Sequence, residues 1–97
     1  MTATLDAVAE ALADAHRREW AFVLAATVRV TRDLDVAEEC AQDAFAAALT
    51  DWRSSGIPER PGAWLTTTAR RRALNVLRHH GVEHRYLPLL VDDETVP

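Results

Sequence analysis

The 97-residue chain contains no lysine, so its eleven cationic side chains are all arginine. This is read as the codon bias of a GC-rich genome and needs no functional cause. The single cysteine, Cys40, excludes an internal disulfide and any cysteine-cluster zinc site. Only three glycines are present, none in a phosphate-cradling run, and no nucleophile elbow or paired-carboxylate pattern occurs. An enzyme is therefore not expected. His79 and His80, with His84, are the nearest thing to a metal motif, but adjacent histidines on a helix cannot easily face one ion. No metal and no cofactor is expected. No apolar run approaches the roughly 18 residues of a membrane span. The opening MTATLDAVAE turns acidic early and lacks a basic region followed by an apolar one, so no signal peptide is expected and the cytoplasm is the default compartment.

What is present fits one small domain. A chain of this size buries roughly 60–65% of its extended surface, enough for one modest core. Hydrophobic residues make up 48%, too many for a disordered chain, and 18 of them are alanine. Much of the apolar fraction is thus helix-forming bulk rather than large core side chains. There is no internal repeat and no extended strand alternation, so an all-α fold is expected, a small bundle of three main helices.

The formal net charge of −4 argues against a polyanion partner until it is divided along the chain. Residues 1–52 hold four arginines against ten acids, a balance of −6. Residues 53–86 hold seven arginines against Glu59 and Glu83, a balance of +5, and residues 87–97 add three acids. An acidic half, a basic third and an acidic tail imply two surfaces for partners of opposite charge, or merely solvated faces.

Leu5, Val8, Leu12, Ala15, Phe22, Val23, Ala26 and Val30 recur at helical steps and predict a helix over Leu5–Thr31. The polar run His16–Glu19 either interrupts it or bends it. Asp33 is placed to cap a second helix over Leu34–Trp52, whose apolar stripe is Ala37, Ala41, Ala44, Phe45, Ala48, Leu49 and Trp52. Cys40 reads as a small core residue. Residues Arg53–Arg60 carry Ser-Ser-Gly and Pro58 and predict a loop. Pro61 suits the first turn of a third helix, expected to run to His80 and to stop at Gly81. Its inner stripe is Leu65, Ala69, Ala73, Val76 and Leu77. Residues 1–80 are taken as the folded domain and 81–97 as a tail, whose Tyr86–Val91 stretch could dock on the core.

Two surfaces follow. Arg70, Arg71 and Arg72 fan across about 200° of helix. Together with Arg53, Arg60 and Arg78 they could meet one polyanion, or they could be a solvated face with intrahelical ion pairs. Trp64, Ser54, Ser55, Thr66, Thr67 and Thr68 add stacking and hydrogen-bonding capacity suited to unstacked nucleic acid. Glu38, Glu39, Gln42 and Asp43, with Asp35 in the first turn, form either a docking face for a basic partner or a solvated face complementing the helix dipole.

The run DLDVAEECAQDAFAAALTDW followed by GIPERPGAWLTTTARRRALNVLR resembles region 2 of bacterial sigma-70 family RNA polymerase sigma factors, nearest to the extracytoplasmic-function group. The resemblance covers about residues 16–80. It implies that the helix bearing Asp35, Glu38, Glu39, Gln42 and Asp43 docks on the clamp helices of the polymerase β′ subunit. It further implies that Arg53, Ser54, Ser55, Arg60, Trp64, Thr67, Thr68, Arg70, Arg71, Asn75 and Arg78 face the non-template strand of a promoter −10 element. Where the family reads A-R-N-R-A, this chain has Ala69-Arg70-Arg71-Arg72-Ala73, which exchanges a base-edge contact at Arg71 for a phosphate contact. A −35-reading helix-turn-helix, also implied, lies outside these residues, leaving an excised domain, a truncated product or an orphan domain as readings. An anti-sigma factor is a further partner the resemblance allows. The rivals from other classes are a decoy that binds protein but not DNA, and a helical dimerisation domain with Trp20, Trp52 and Trp64 in a homodimer interface.

Overall fold

The computed structural model describes residues 2–83. They form three helices: α1 over Leu5–Thr31, α2 over Leu34–Ser55 and α3 over Pro61–Glu83. The all-α class and the helix count agree with the periodicity.

Helix α1 is continuous through the His16–Glu19 run. Across that run Asp14 pairs with Arg17 at 3.4 Å and Arg18 at 3.1 Å. These are the three- and four-residue spacings that meet on a helix surface. The Thr4 hydroxyl accepts from the Ala7 N–H at 3.1 Å and caps the start. At the other end Arg32 turns left-handed, with φ 58°, and donates its N–H to the Val28 carbonyl at 2.7 Å. The next helix starts at once: Asp33 is its N-cap, as expected, and accepts from the Val36 N–H at 3.0 Å.

Two helix ends differ from the sequence expectation. Helix α2 does not stop at Trp52; Arg53, Ser54 and Ser55 belong to its last turn. Gly56, at φ 93°, ends it by donating its N–H to the Trp52 carbonyl at 2.9 Å. Glycine takes that positive φ without a Cβ penalty, so the chain leaves the helix there and not at the serines. Helix α3 begins at Pro61 as expected but runs past Gly81 to Glu83. A glycine within a helix is unfavourable by only about 1 kcal/mol, too little to end one by itself. Residues 84–97, with the Tyr86–Val91 stretch, lie outside the described residues.

The bundle is narrow because its seams are built from alanine. Ala37, Ala41, Ala44 and Ala48 on α2 are fully buried, as are Ala69 and Ala73 on α3. Val8, Ala15 and Val23 of α1, Trp52 of α2 and Leu65 of α3 complete the centre, and Leu12, Trp20, Phe45 and Trp64 pack around it. Thr27 was not in the expected stripe. It is buried, because its hydroxyl donates to the Val23 carbonyl at 2.7 Å and so needs no outside partner. Phe22 (65% exposed), Leu5, Leu49 and Leu77 were expected in the stripes and face outward instead. A seam narrowed by alanine gives large residues at its margins nothing to pack on. Trp52 is 1% exposed, which removes it from any subunit interface made of the three tryptophans.

Helices α1 and α2 run antiparallel, with the Ala3 N–H donating to the Arg53 carbonyl at 3.1 Å and Trp20 meeting Phe45 further along. Helices α2 and α3 are also antiparallel, since Trp52 meets Trp64 while Asp43 meets Arg72. The outer faces of α2 and α3 are thereby set side by side.

Candidate nucleic-acid and protein interfaces

The short 56–60 connection and Pro61 fix where α3 starts, and its 3.6-residue period then aligns one outward stripe. Arg60, Trp64, Thr67, Thr68, Arg71, Asn75 and Arg78 follow one another at steps of one, three or four residues. Three open hollows join along that stripe. Pro58, Glu59, Arg60, Ala63, Trp64, Thr67, Thr68 and Arg71 line the first, at the helix start. Thr68, Arg71 and Asn75 line the second, where α3 meets Glu39 and Asp43 of α2. Asn75, Arg78, His79 and His80 line the third. Because neighbouring hollows share residues, they form one groove along α3.

Trp64 is the aromatic element of this groove and is half-buried. Its ring meets Trp52 edge-to-face, with centroids 5.4 Å apart at 73°. That pairing favours a fixed ring orientation. The buried Trp52 therefore supports Trp64 from behind, a role the sequence did not reveal because Trp52 read as the end of an apolar stripe and Trp64 as a stacking group on another helix. The arginines of the groove, Arg60, Arg71 and Arg78, are exposed.

Other sequence candidates stand elsewhere. Arg53 and Ser54 line a separate hollow with Ala3, Leu5, Leu49 and Thr50, beside the start of α1. The Ser54 hydroxyl donates to the Asp51 carbonyl at 3.2 Å. Ser55 is exposed in the last turn of α2. Arg70 is exposed but lies about 100° around the helix from Arg71, off the groove. Arg72 lines the second hollow with Arg71, on its α2 side, and lies 3.9 Å from Asp43.

On α2, Asp35, Glu38, Glu39, Gln42 and Asp43 are all exposed, opposite the alanine seam. The same outward stripe continues through Ala46, Leu49 and Arg53 at three- and four-residue steps. Leu49, 42% exposed, is thus an apolar spot at the end of an acidic face. A period-3.6 reading that assigned it to the core missed it. Beneath the face lies Cys40, 3% exposed. Burial, then the Asp43 and Glu39 carboxylates, push its thiol above the usual range, with Arg72 opposing. On the α1 side, His16 stacks on Trp20 at 5.1 Å and meets Phe45 edge-on at 5.6 Å.

Among the described residues no group of three or more His, Cys, Asp or Glu stands close enough to hold a metal ion. No helix among them is long and apolar enough to cross a membrane.

The family model for sigma-70 region 2 matches residues 12–82. An uncharacterized protein of Rhizobium meliloti (strain 1021) is 37% identical over 60 residues, which is 62% of this chain and 14% of that protein. This chain thus matches a small part of a much longer relative. No solved structure matches. Sigma-70 region 2 domains serve transcription initiation in general, through −10 promoter recognition and polymerase core binding, and are not enzymes. With a family model that matches residues 12–82, reaching all three helices, the chain belongs to the sigma-70 region 2 family.

Proposed function

We propose that this chain is the core-binding and −10-recognition domain of an alternative sigma factor of the extracytoplasmic-function group. The observation that carries the proposal is the continuous α3 groove, in which Trp64 stands between arginines and small polar groups. Its chemistry suits a single strand with unstacked bases. Trp64 offers a face for stacking, Arg60, Arg71 and Arg78 neutralise phosphates, and Thr67, Thr68 and Asn75 reach base edges. With Arg71 at the position where the family has asparagine, phosphate contacts supply a larger share of affinity, and binding is strongly salt-dependent. The acidic face of α2, ending in Leu49, docks on a basic helical segment of the polymerase β′ subunit. An anti-sigma factor that covered either face would silence the domain.

The test uses a single-stranded oligonucleotide with a non-template −10 sequence and a β′ clamp-helix fragment. Arg71→Ala with Arg78→Ala is expected to weaken oligonucleotide binding at least about tenfold. It should also flatten the salt dependence by about 1.4 in log–log slope, for two lost phosphate contacts. Glu39→Arg with Asp43→Arg is expected to abolish capture by the fragment. Unchanged oligonucleotide affinity would remove the role given to α3, and intact capture would remove that given to α2.

A further inference from the structure

The flank where α1 and α3 lie side by side belongs neither to the groove nor to the acidic face. Both helices run antiparallel to α2, so they are parallel to each other, and the close approach of Gly62 to Glu19 sets their register. Phe22 then stands level with Leu65, and Arg29 level with Arg72. On α1, His16 and Trp20 face Phe45 of α2, so Glu19, Phe22, Ala26 and Arg29, at three- and four-residue steps, lie on the α3 side. On α3, Thr68, Arg72 and Asn75 line the hollow against α2. Arg70, Leu74 and Leu77 therefore lie on the α1 side, across the buried Ala69 and Ala73.

This flank is apolar and cationic together. Phe22 is 65% exposed, Leu74 50% and Leu77 40%, in one strip rather than scattered. Arg29 and Arg70 are exposed beside them, and neither has an acidic partner among the described residues. Glu19, the acid on this side, stands at the start of α3, about 12 Å along the helix from Arg70. Read back from the end of α3, the order is leucine, leucine, then arginine. The chain beyond Glu83 carries the complementary order: Leu89, Leu90 and Val91, then Asp92, Asp93 and Glu94. The reach also matches. After a reversal over residues 84–87, four extended residues span about 13 Å, against about 14 Å of helix from Glu83 back to Leu74. Three more span about 10 Å and pass Arg70.

We propose that residues 88–94 lie back along the α1–α3 flank, with Leu89, Leu90 and Val91 on Leu77 and Leu74, and with Asp92, Asp93 and Glu94 at Arg70 and Arg29. A surface ion pair alone contributes little. Here tethering presents the segment at an effective concentration on the order of millimolar, and the leucines add apolar burial. Arg70, which the groove leaves out, and the acidic run after Val91 thus become each other's partners. Neither the groove nor the acidic face takes part in this contact.

The test uses the full chain, isotope-labelled, carrying Cys40→Ala and Thr95→Cys, with a nitroxide attached at position 95. Amide signals of Arg29, Arg70 and Leu74 are expected to fall below half their intensity in the reduced, diamagnetic sample, while those of Thr50 and Trp52 at the far end of α2 keep theirs. Leu89→Ser with Leu90→Ser should restore most of the lost intensity, and so should Arg29→Gln with Arg70→Gln. None of these four side chains belongs to the buried core, so far-UV circular dichroism should stay unchanged. Broadening confined to residues 77–80, or centred on Trp64 and Arg71 of the groove, overturns the proposal, as does broadening that both substituted pairs leave in place. The same pattern in a mixture of isotope-labelled chain without nitroxide and unlabelled chain with it would show a second copy's tail on the flank, and would overturn the intramolecular contact.

Discussion

Trp52 offers the sharpest test of how this thin bundle holds together. Its ring is 1% exposed, and no protein group accepts from its indole Nε1–H. Replacement by phenylalanine removes two carbons and that N–H. The lost carbons are worth about 1.6 kcal/mol of burial, and the remaining void adds about 1 kcal/mol. Against this, relieving a buried donor with no acceptor returns about 1–3 kcal/mol. The terms largely cancel, so Trp52→Phe is expected to cost no more than about 1.6 kcal/mol of stability. Trp52→Ala, with no ring to support Trp64 or fill the α2–α3 seam, should be destabilising by about 3–5 kcal/mol. Thr66 shares the feature, with a buried hydroxyl that has no partner, so Thr66→Val is expected to be neutral or mildly stabilising. Urea unfolding followed by far-UV circular dichroism reads all three. A loss of about 3 kcal/mol or more in Trp52→Phe would refute the reasoning, because it would show the indole N–H to be well paired in solution.

Two further outcomes follow from local geometry. A Cβ built on Gly62 would stand 2.6 Å from Glu19 Cδ, so Gly62→Ala must push that carboxylate aside. In a Glu19→Ala background the obstruction is gone, and the same change should stabilise by about 0.5–1 kcal/mol through helix propensity; a double-mutant cycle measures the difference, and a zero coupling term would contradict the contact. Cys40, its thiol raised first by burial and then by Asp43 and Glu39, should alkylate much more slowly than a free thiol at about pH 8 and normally in urea. Because the folded chain keeps this proton to higher pH than the unfolded one, the contribution is complete at neutral pH. It is lost as pH rises through the alkaline range, so Cys40→Ala should flatten the alkaline fall in the urea midpoint; an unaltered fall would argue against it.

The proposed function needs two surfaces of opposite charge on one small domain, each open to its own partner. The antiparallel pairing of α2 and α3 over an alanine seam supplies that arrangement. Small side chains let the helices approach, and the outer faces then meet along a single edge where Asp43 and Arg72 stand. A bulkier seam would move the carboxylate and guanidinium apart.

Much of this was legible in the chain itself, because it depends on short-range chemistry. The helical period of alanine, valine and leucine set the three helices. Asp33 and Pro61 marked two starts, since capping and a missing N–H act within one turn. The segmentation of charge separated an acidic helix from a basic one. What the chain could not show was anything settled between helices. Periodicity gives a stripe but not its width, so Phe22, Leu49 and Leu77 read as core while Thr27, with its own internal hydrogen bond, did not. Three consecutive arginines read as one basic cluster. Only the packing of α3 against α2 decided that Arg71 lines the groove, Arg70 leaves it and Arg72 meets Asp43 at its edge. Arg53 and Ser54 likewise read as neighbours of Arg60, until the glycine-capped end of α2 placed them beside the start of α1. The sequence by itself determined where three helices form, though not where α2 and α3 end, and which charges the helices carry, since those follow from local backbone and side-chain preferences. Tertiary structure alone decided which charges face each other, because that depends on the distance and angle at which the alanine seams let the helices pack.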